Sequence, residues 1–132
     1  LVLSKSCKYM LRNGGGRLVF TSSVAAGVGL TNHEAISAAK GGVESMARSA
    51  AATYSKRGIR VNTVAPGLTD TRLASPITKT ESSKEAAVSK IPLNRINEPD
   101  EIAKAIQWLL TEAPDNLTGQ VLNLDGGMSS LR

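Results

Sequence analysis

Three short segments of this 132-residue chain carry side chains that could do chemistry at the end of a strand: Thr21-Ser22-Ser23, Ala65-Pro66-Gly67 and Asp125-Gly126-Gly127. Each ends an apolar run, and in an open parallel sheet ligands bind just beyond the carboxyl ends of the strands. A hydroxyl at such a tip can donate a hydrogen bond to a substrate oxygen, which makes Ser23 a candidate anchor; the alternative is a loop serine satisfied by backbone. Asp125 is open in the same way, between polar anchor and turn former. Gly14-Gly15-Gly16 precedes a strand instead of joining a strand to a helix. It is therefore a helix stop and not a dinucleotide fingerprint.

The elements that must position these tips follow from hydrophobic spacing. Residues 1–12 read as the end of an amphipathic helix, with Leu3, Cys7, Met10 and Leu11 at helical intervals. Arg17–Ser22 holds the apolar run Leu18-Val19-Phe20, the pattern of a short buried strand. Val24–Leu30 is a loop of small residues. An Ala-rich helix is expected over 33–56, its inner stripe formed by Ala39, Val43, Met46, Ala47, Ala50 and Tyr54. Lys56 and Arg57 suit its last turn, and Gly58 closes it. Ile59–Val64 is a second strand, and 68–95 is polar and irregular with a short helix near 81–89. Asn97-Glu98-Pro99-Asp100 opens another helix, with Ile102, Ile106, Leu109 and Leu110 as its buried face. Gly119–Leu124 is the third strand. Helix, strand, helix, strand, helix, strand implies parallel strands joined by right-handed crossovers. The fold class is α/β: part or all of one doubly wound domain, seen through three strands and three main helices.

Composition removes several classes of function. Hydrophobic residues make up 41% and charged residues 20%, the balance of a globular chain and not a disordered one. Apolar runs stay well short of the roughly 18 residues that a membrane helix needs, so no membrane partner is expected. The basic residues behind the net charge of +5 are scattered along the chain, with no interleaved aromatics and no zinc or RNP-type pattern, which speaks against nucleic acid. Only Tyr9, Phe20, Tyr54 and Trp108 are aromatic, so the core must rest on Val, Ile, Leu and Ala. A lone Cys7, and the charges at Lys5, Lys8 and Arg12 where a leader would be apolar, point to a reducing, cytoplasmic setting. The chain starts at Leu1 with a helix already under way, so a preceding segment is expected.

The run Gly16-Arg17-Leu18-Val19-Phe20-Thr21-Ser22-Ser23, then Ala39-Lys40-Gly41-Gly42-Val43, then Gly58-Ile59-Arg60-Val61-Asn62-Thr63-Val64-Ala65-Pro66-Gly67, resembles the short-chain dehydrogenase/reductase family. The tail Thr118-Gly119-Gln120-Val121-Leu122-Asn123-Leu124-Asp125-Gly126-Gly127 is similar to the last strand of its 3-oxoacyl-acyl-carrier-protein-reductase-like members. The similarity runs from about residue 3 to 128 and covers the second, carboxyl-terminal half of that family's Rossmann-type domain.

The resemblance implies a nicotinamide-dependent oxidoreductase acting on a small carbonyl or secondary alcohol, with NAD or NADP as cofactor. It puts Ser23 on the substrate oxygen and Lys40 on the nicotinamide ribose. It puts Pro66 and Gly67 beside the nicotinamide ring, and Thr71 on the carboxamide. It also implies a homo-oligomer through the helices at 1–12 and 33–56, although the Ala39–Tyr54 stripe could equally be core. Residues 68–95 correspond to the variable segment over the substrate, where Arg72, Leu73, Ile77 and Leu93 could line a pocket.

Two departures qualify the resemblance. The family's catalytic tyrosine precedes the lysine by four residues, one helical turn away on the same face. Here that position holds Ile36, which cannot exchange a proton. Loss of a positioned acid typically costs about 10²–10⁴ in rate. His33 is the nearest replacement, since an imidazole can exchange protons; a histidine at the helix start with no such role is the alternative. The second departure is that no glycine-rich strand–helix junction lies in these residues, so the 132-residue chain alone is expected to be inactive. A non-catalytic homologue serving cofactor binding or assembly is the alternative reading.

Overall fold

The computed structural model describes residues 2–131; Leu1, where the first helix is expected to be already under way, and Arg132 lie outside the described residues. The chain runs as helix α1 (Val2–Arg12), strand β1 (Gly16–Thr21), helix α2 (Glu34–Tyr54) and strand β2 (Ile59–Pro66). Two short helices follow, α3 (Ser75–Thr78) and α4 (Glu81–Val88), then helix α5 (Pro99–Thr111) and strand β3 (Val121–Leu124). Among the described residues the strands form one sheet in the order β1-β2-β3. Both pairings are parallel, with Leu18 opposite Val61 and Thr63 opposite Val121. The doubly wound α/β reading therefore stands.

Both faces of the sheet are covered, which is why its strands read as apolar runs with little alternation. On one face α1 and α2 pack through Cys7, Ala47, Ala50 and Ala51 onto Ile59 and Val61, with Leu18 and Phe20 beside them. On the other, α5 lays Ile102, Ile106 and Leu109 over Val64, Val19 and Leu122. Cys7 is fully enclosed, and burial pushes its thiol pKa up. Among the described residues no helix is long and apolar enough to cross a membrane.

Glycine is required where β1 and β2 begin. A Cβ on Gly15 would lie 2.5 Å from the Gly58 carbonyl oxygen, and Gly58 itself turns left-handed at φ 77°. The two helix stops thus touch backbone to backbone. Arg17 and Arg60 close the same end. Arg17 donates to the Ala113 carbonyl and to Asp115 Oδ1 at 2.8 Å, while Arg60 Nε donates to the Asp115 carbonyl. Two of the scattered positive charges are therefore tied to the loop between α5 and β3. Asn62, buried in β2, holds that loop from inside, donating to the Leu117 carbonyl and accepting from the Gln120 N–H.

Two helical stripes differ from those expected. In α2, Ala39 and Met46 are exposed, and the inner row is Ser37, Lys40, Glu44, Ala47 and Ala51, with Ala50 and Tyr54 alongside. Hydrophobicity located the row only in its lower half, because the upper half is polar. In α5, Leu110 is exposed and Ala113 takes its place, continuing the three- and four-residue steps from Ile102, Ile106 and Leu109. The small-residue loop after β1 contains a 3-10 turn over Val24–Ala26.

The segment after β2 leaves and returns through a clasp. Thr69 and Asn97 form a parallel bridge; Asp70 N–H donates to the Asn97 carbonyl and Asn97 N–H to the Leu68 carbonyl. Between them lie α3 and α4, the second near the expected 81–89 and opened by a Thr80–Ser83 capping box. Ile91 anchors the return: it is buried, and a Cβ at Gly126 would strike its side chain at 2.5 Å.

Candidate active site

The tip of β1 is fixed from several sides. Ser22 N–H donates to the Val64 carbonyl at 2.7 Å, extending the ladder one residue past the strand. The Ser22 side chain then turns under α2, where its hydroxyl lies 2.8 Å from Glu44 Oε1 and 3.2 Å from the Lys40 carbonyl. Lys40 reaches back the other way, its Nζ donating to the Thr21 carbonyl at 3.0 Å. Strand alternation explains the division: Phe20 and Ser22 face α2, whereas Ser23 falls on the next position.

Ser23 Oγ accepts from the Ala25 N–H at 3.2 Å and so caps the 3-10 turn. That bond uses a lone pair and leaves the hydroxyl proton available to a substrate oxygen. The backbone-satisfied serine and the anchor are thus compatible in one side chain. Ser37 secures the same turn, donating to the Ala25 carbonyl at 2.7 Å. Ser23 and Lys40 accordingly meet at one strand tip.

The second tip is shaped by contact between strands. Gly67 N–H donates to the Leu124 carbonyl, and a Cβ at Gly67 would lie 2.8 Å from Asp125 Cα. Only a bare backbone fits there. Thr69 Oγ1 donates to the Gly67 carbonyl, and Thr71 caps the 3-10 turn over Arg72–Ala74 by accepting from the Ala74 N–H. Thr71, like Ser23, keeps a hydroxyl proton to donate.

The remaining residues lie apart. His33 precedes the first turn of α2 with its Nδ1 2.7 Å from the Thr31 carbonyl oxygen; none of its described bonds reaches Ser23 or Lys40. Ile36 is partly exposed at 39%. Asp125 is a turn former here, its carboxylate accepting from the Gly127 and Ser129 N–H groups. A cleft of about 330 Å3 beside it is lined by Leu93, Asn97, Asp125 and Gly126 and does not include Ser23 or Lys40. Leu93 thus lines a cleft apart from Ser23 and Lys40, and Leu73 is 88% exposed. At the rim Arg95 and Glu101 pair at 2.5 Å. That hydrogen bond, with a second from the Glu98 N–H, lowers the Glu101 carboxyl from 4.5 to about 2.

Sequence reasoning overlooked Ser22, Ser37 and Glu44. The signal was present: positions 37, 40, 44, 47 and 51 form one helical row, and Ala47 and Ala51 mark it as the inner one. Polar residues continuing a buried row toward a strand tip are a site signature.

The donors at these tips fit the nicotinamide end of a dinucleotide. The two free hydroxyls and the Lys40 ammonium could meet ribose hydroxyls and a carboxamide, and the bare backbone at Gly67 admits a flat ring close by. Among the described residues no group of His, Cys, Asp and Glu could hold a metal ion.

Comparison with known proteins gives the family. A family model described as Enoyl-(Acyl carrier protein) reductase matches residues 1–129. The cis-4-hydroxycyclohexanecarboxylate dehydrogenase of Sinomonas cyclohexanicum is 40% identical over 124 residues, 94% of this chain and 49% of that protein. The 3-oxoacyl-[acyl-carrier-protein] reductase of Thermotoga maritima is 37% identical over 120 residues, 91% of this chain and 48% of its own. A short-chain type dehydrogenase/reductase from Mycobacterium ulcerans superposes with a TM-score of 0.92 at 34% identity, covering 97% of this chain and 46% of that one. A Burkholderia cenocepacia gluconate 5-dehydrogenase, solved with NADP and tartrate, gives 0.93 at 26% identity, covering 98% and 51%. The chain belongs to the short-chain dehydrogenase/reductase family, and it spans about half the length of the curated relatives it matches.

Proposed function

We propose that these residues carry the nicotinamide and substrate end of an NAD(P)-dependent oxidoreductase acting on a carbonyl or secondary alcohol. The observation that carries this reading is the meeting of Ser23 and Lys40 at the tip of β1. When bound, the nicotinamide supplies the hydride chemistry, and the protein supplies orientation and electrostatics. Ser23 donates a hydrogen bond from its hydroxyl to the substrate oxygen. Lys40 holds the ribose, the backbone at Pro66 and Gly67 borders the ring, and Thr71 meets the carboxamide. Relatives named as dehydrogenases of a ring hydroxy-acid and as a 3-oxoacyl reductase fit such a substrate class. The buried Cys7 thiol suits a reducing cytoplasmic setting, and the exposed faces of α1 and α2 suit a homo-oligomer.

Ile36 favours a second reading, in which the site binds without turning over. Isoleucine at the position one helical turn before Lys40 leaves no side-chain acid there, and His33 is the remaining candidate proton donor. The test is turnover of NADH and NADPH with carbonyl substrates by the protein, compared with its Ile36→Tyr and His33→Ala variants. A catalytic reading expects Ile36→Tyr to raise kcat by about 10²–10⁴. A silent parent that gains turnover on Ile36→Tyr establishes the binding-only reading, and loss of turnover in His33→Ala assigns the proton to His33. For the 132 residues alone we expect no turnover, since no glycine-rich strand–helix junction among them serves a pyrophosphate. Substrate-dependent NADPH oxidation by this chain would overturn that expectation.

A further inference from the structure

We propose that Ser22 and Glu44 are positioning residues: their hydrogen bond latches the strand tip bearing Ser23 to the helix bearing Lys40. The inference rests on the reading of that tip as the nicotinamide and substrate site. Ser22 is 4% exposed and the Glu44 side chain 13%, yet both are polar, and they meet just above the apolar contact that Ala47, Ala50 and Ala51 make with the sheet. Burying a carboxylate and a hydroxyl costs desolvation, and an apolar pair would hold helix to sheet as well or better. A directional bond does what apolar contact does not: it fixes the tip at one height along α2.

The bond connects the two halves of the site. Ser22 follows Thr21, whose carbonyl receives Lys40 Nζ, and precedes Ser23, whose Oγ receives the Ala25 N–H. Glu44 lies one turn after Lys40, and its second oxygen is 3.7 Å from Arg48 Nη1, which steadies the carboxylate from the solvent side. A slip of Ser22 would carry Thr21 and Ser23 with it, changing what Lys40 and Ser23 can reach together. The Lys40 carbonyl is a fallback acceptor for Ser22, so removing Glu44 loosens the latch and removing the Ser22 hydroxyl opens it.

Amide hydrogen exchange on the full chain tests this, comparing Ser22→Ala, Glu44→Leu and Glu44→Gln. The Ala25 amide reports the Ser23 cap, and the Ala50 and Ala51 amides report the lower part of the helix. We expect Ala25 exchange to quicken about tenfold in Ser22→Ala and less in Glu44→Leu, with Ala50 and Ala51 unchanged. Glu44→Gln keeps an acceptor at the same place and should restore wild-type exchange. Equal acceleration at all three amides, or none at Ala25, would overturn the latch. Should Glu44→Leu fail to fold, Ser22→Ala and Glu44→Gln decide it alone. Titration with reduced nicotinamide mononucleotide, followed by NMR at Ser23 and Lys40, separates the two proposals. Shifts that weaken about tenfold in Ser22→Ala and recover in Glu44→Gln support both. No shifts in the wild-type chain overturn the cofactor reading, and the exchange data then judge the latch by themselves.

Discussion

The two halves of α2 face the same sheet and do different work. The lower half meets Ile59 and Val61 through Ala47, Ala50 and Ala51, a dry contact in which small side chains let helix and sheet approach closely. The upper half meets the end of β1 through Ser37, Lys40 and Glu44, each making a hydrogen bond to the segment 21–25. Apolar packing is non-directional and rewards area, so the lower half carries stability. Hydrogen bonds net little energy against water but punish misplacement, so the upper half carries geometry.

Substitutions should separate the halves. Ala47→Leu inserts methylenes into the dry contact and should destabilise by about 1–3 kcal/mol in urea unfolding. Its tip should stay ordered in any molecule that remains folded. Ser37→Ala removes one bond from the polar half and should cost about 1 kcal/mol. The Ala25 amide should nevertheless lose protection while Ala51 does not. If Ala47→Leu disturbs the tip as strongly as Ser37→Ala does, the division between halves is wrong. Thr63 lies on the same face, one strand step beyond Val61, and its hydroxyl is buried without a partner among the described residues. Thr63→Val should therefore stabilise, by up to about 1 kcal/mol, extending the dry region upward.

Acid should act at α5. The Glu101 carboxyl is lowered to about 2 from 4.5 by Arg95 and the Glu98 N–H. A depressed carboxylate contributes stability that is fully present above the unfolded value and is lost as pH falls from about 4.5 through about 2. The effect is small at so exposed a pair, and Glu101→Gln should flatten that part of the pH–stability profile.

The same contrast explains what the sequence disclosed. Strands, helices and their order were legible because burial is apolar almost everywhere, and Ile59, Val61, Ile106 and Leu109 announce it. Ala47, Ala50 and Tyr54 were placed correctly on α2 for that reason. Ala39 and Met46 were not, because above Ala47 the inner row turns polar and hydrophobic spacing points to the wrong side. Consistency between pattern and fold is expected to fail at functional sites, and it fails here at the candidate site, one turn to either side of Lys40. Ser22 escaped notice because nothing in its type distinguishes a buried serine from an exposed one. Long-range pairings such as Arg17 with Asp115 were illegible in principle, since residues so far apart in sequence are joined only by the fold.

The clasp between Thr69 and Asn97 has a consequence of a different kind. An excursion whose two ends are tied to each other, and which rests on the sheet through Ile91 against Gly126, behaves as an interchangeable cassette. Its interior can lengthen, shorten or change composition while β2 and β3 keep their register. The sheet can thus be inherited intact while the segment between the clasp's two ends is rewritten.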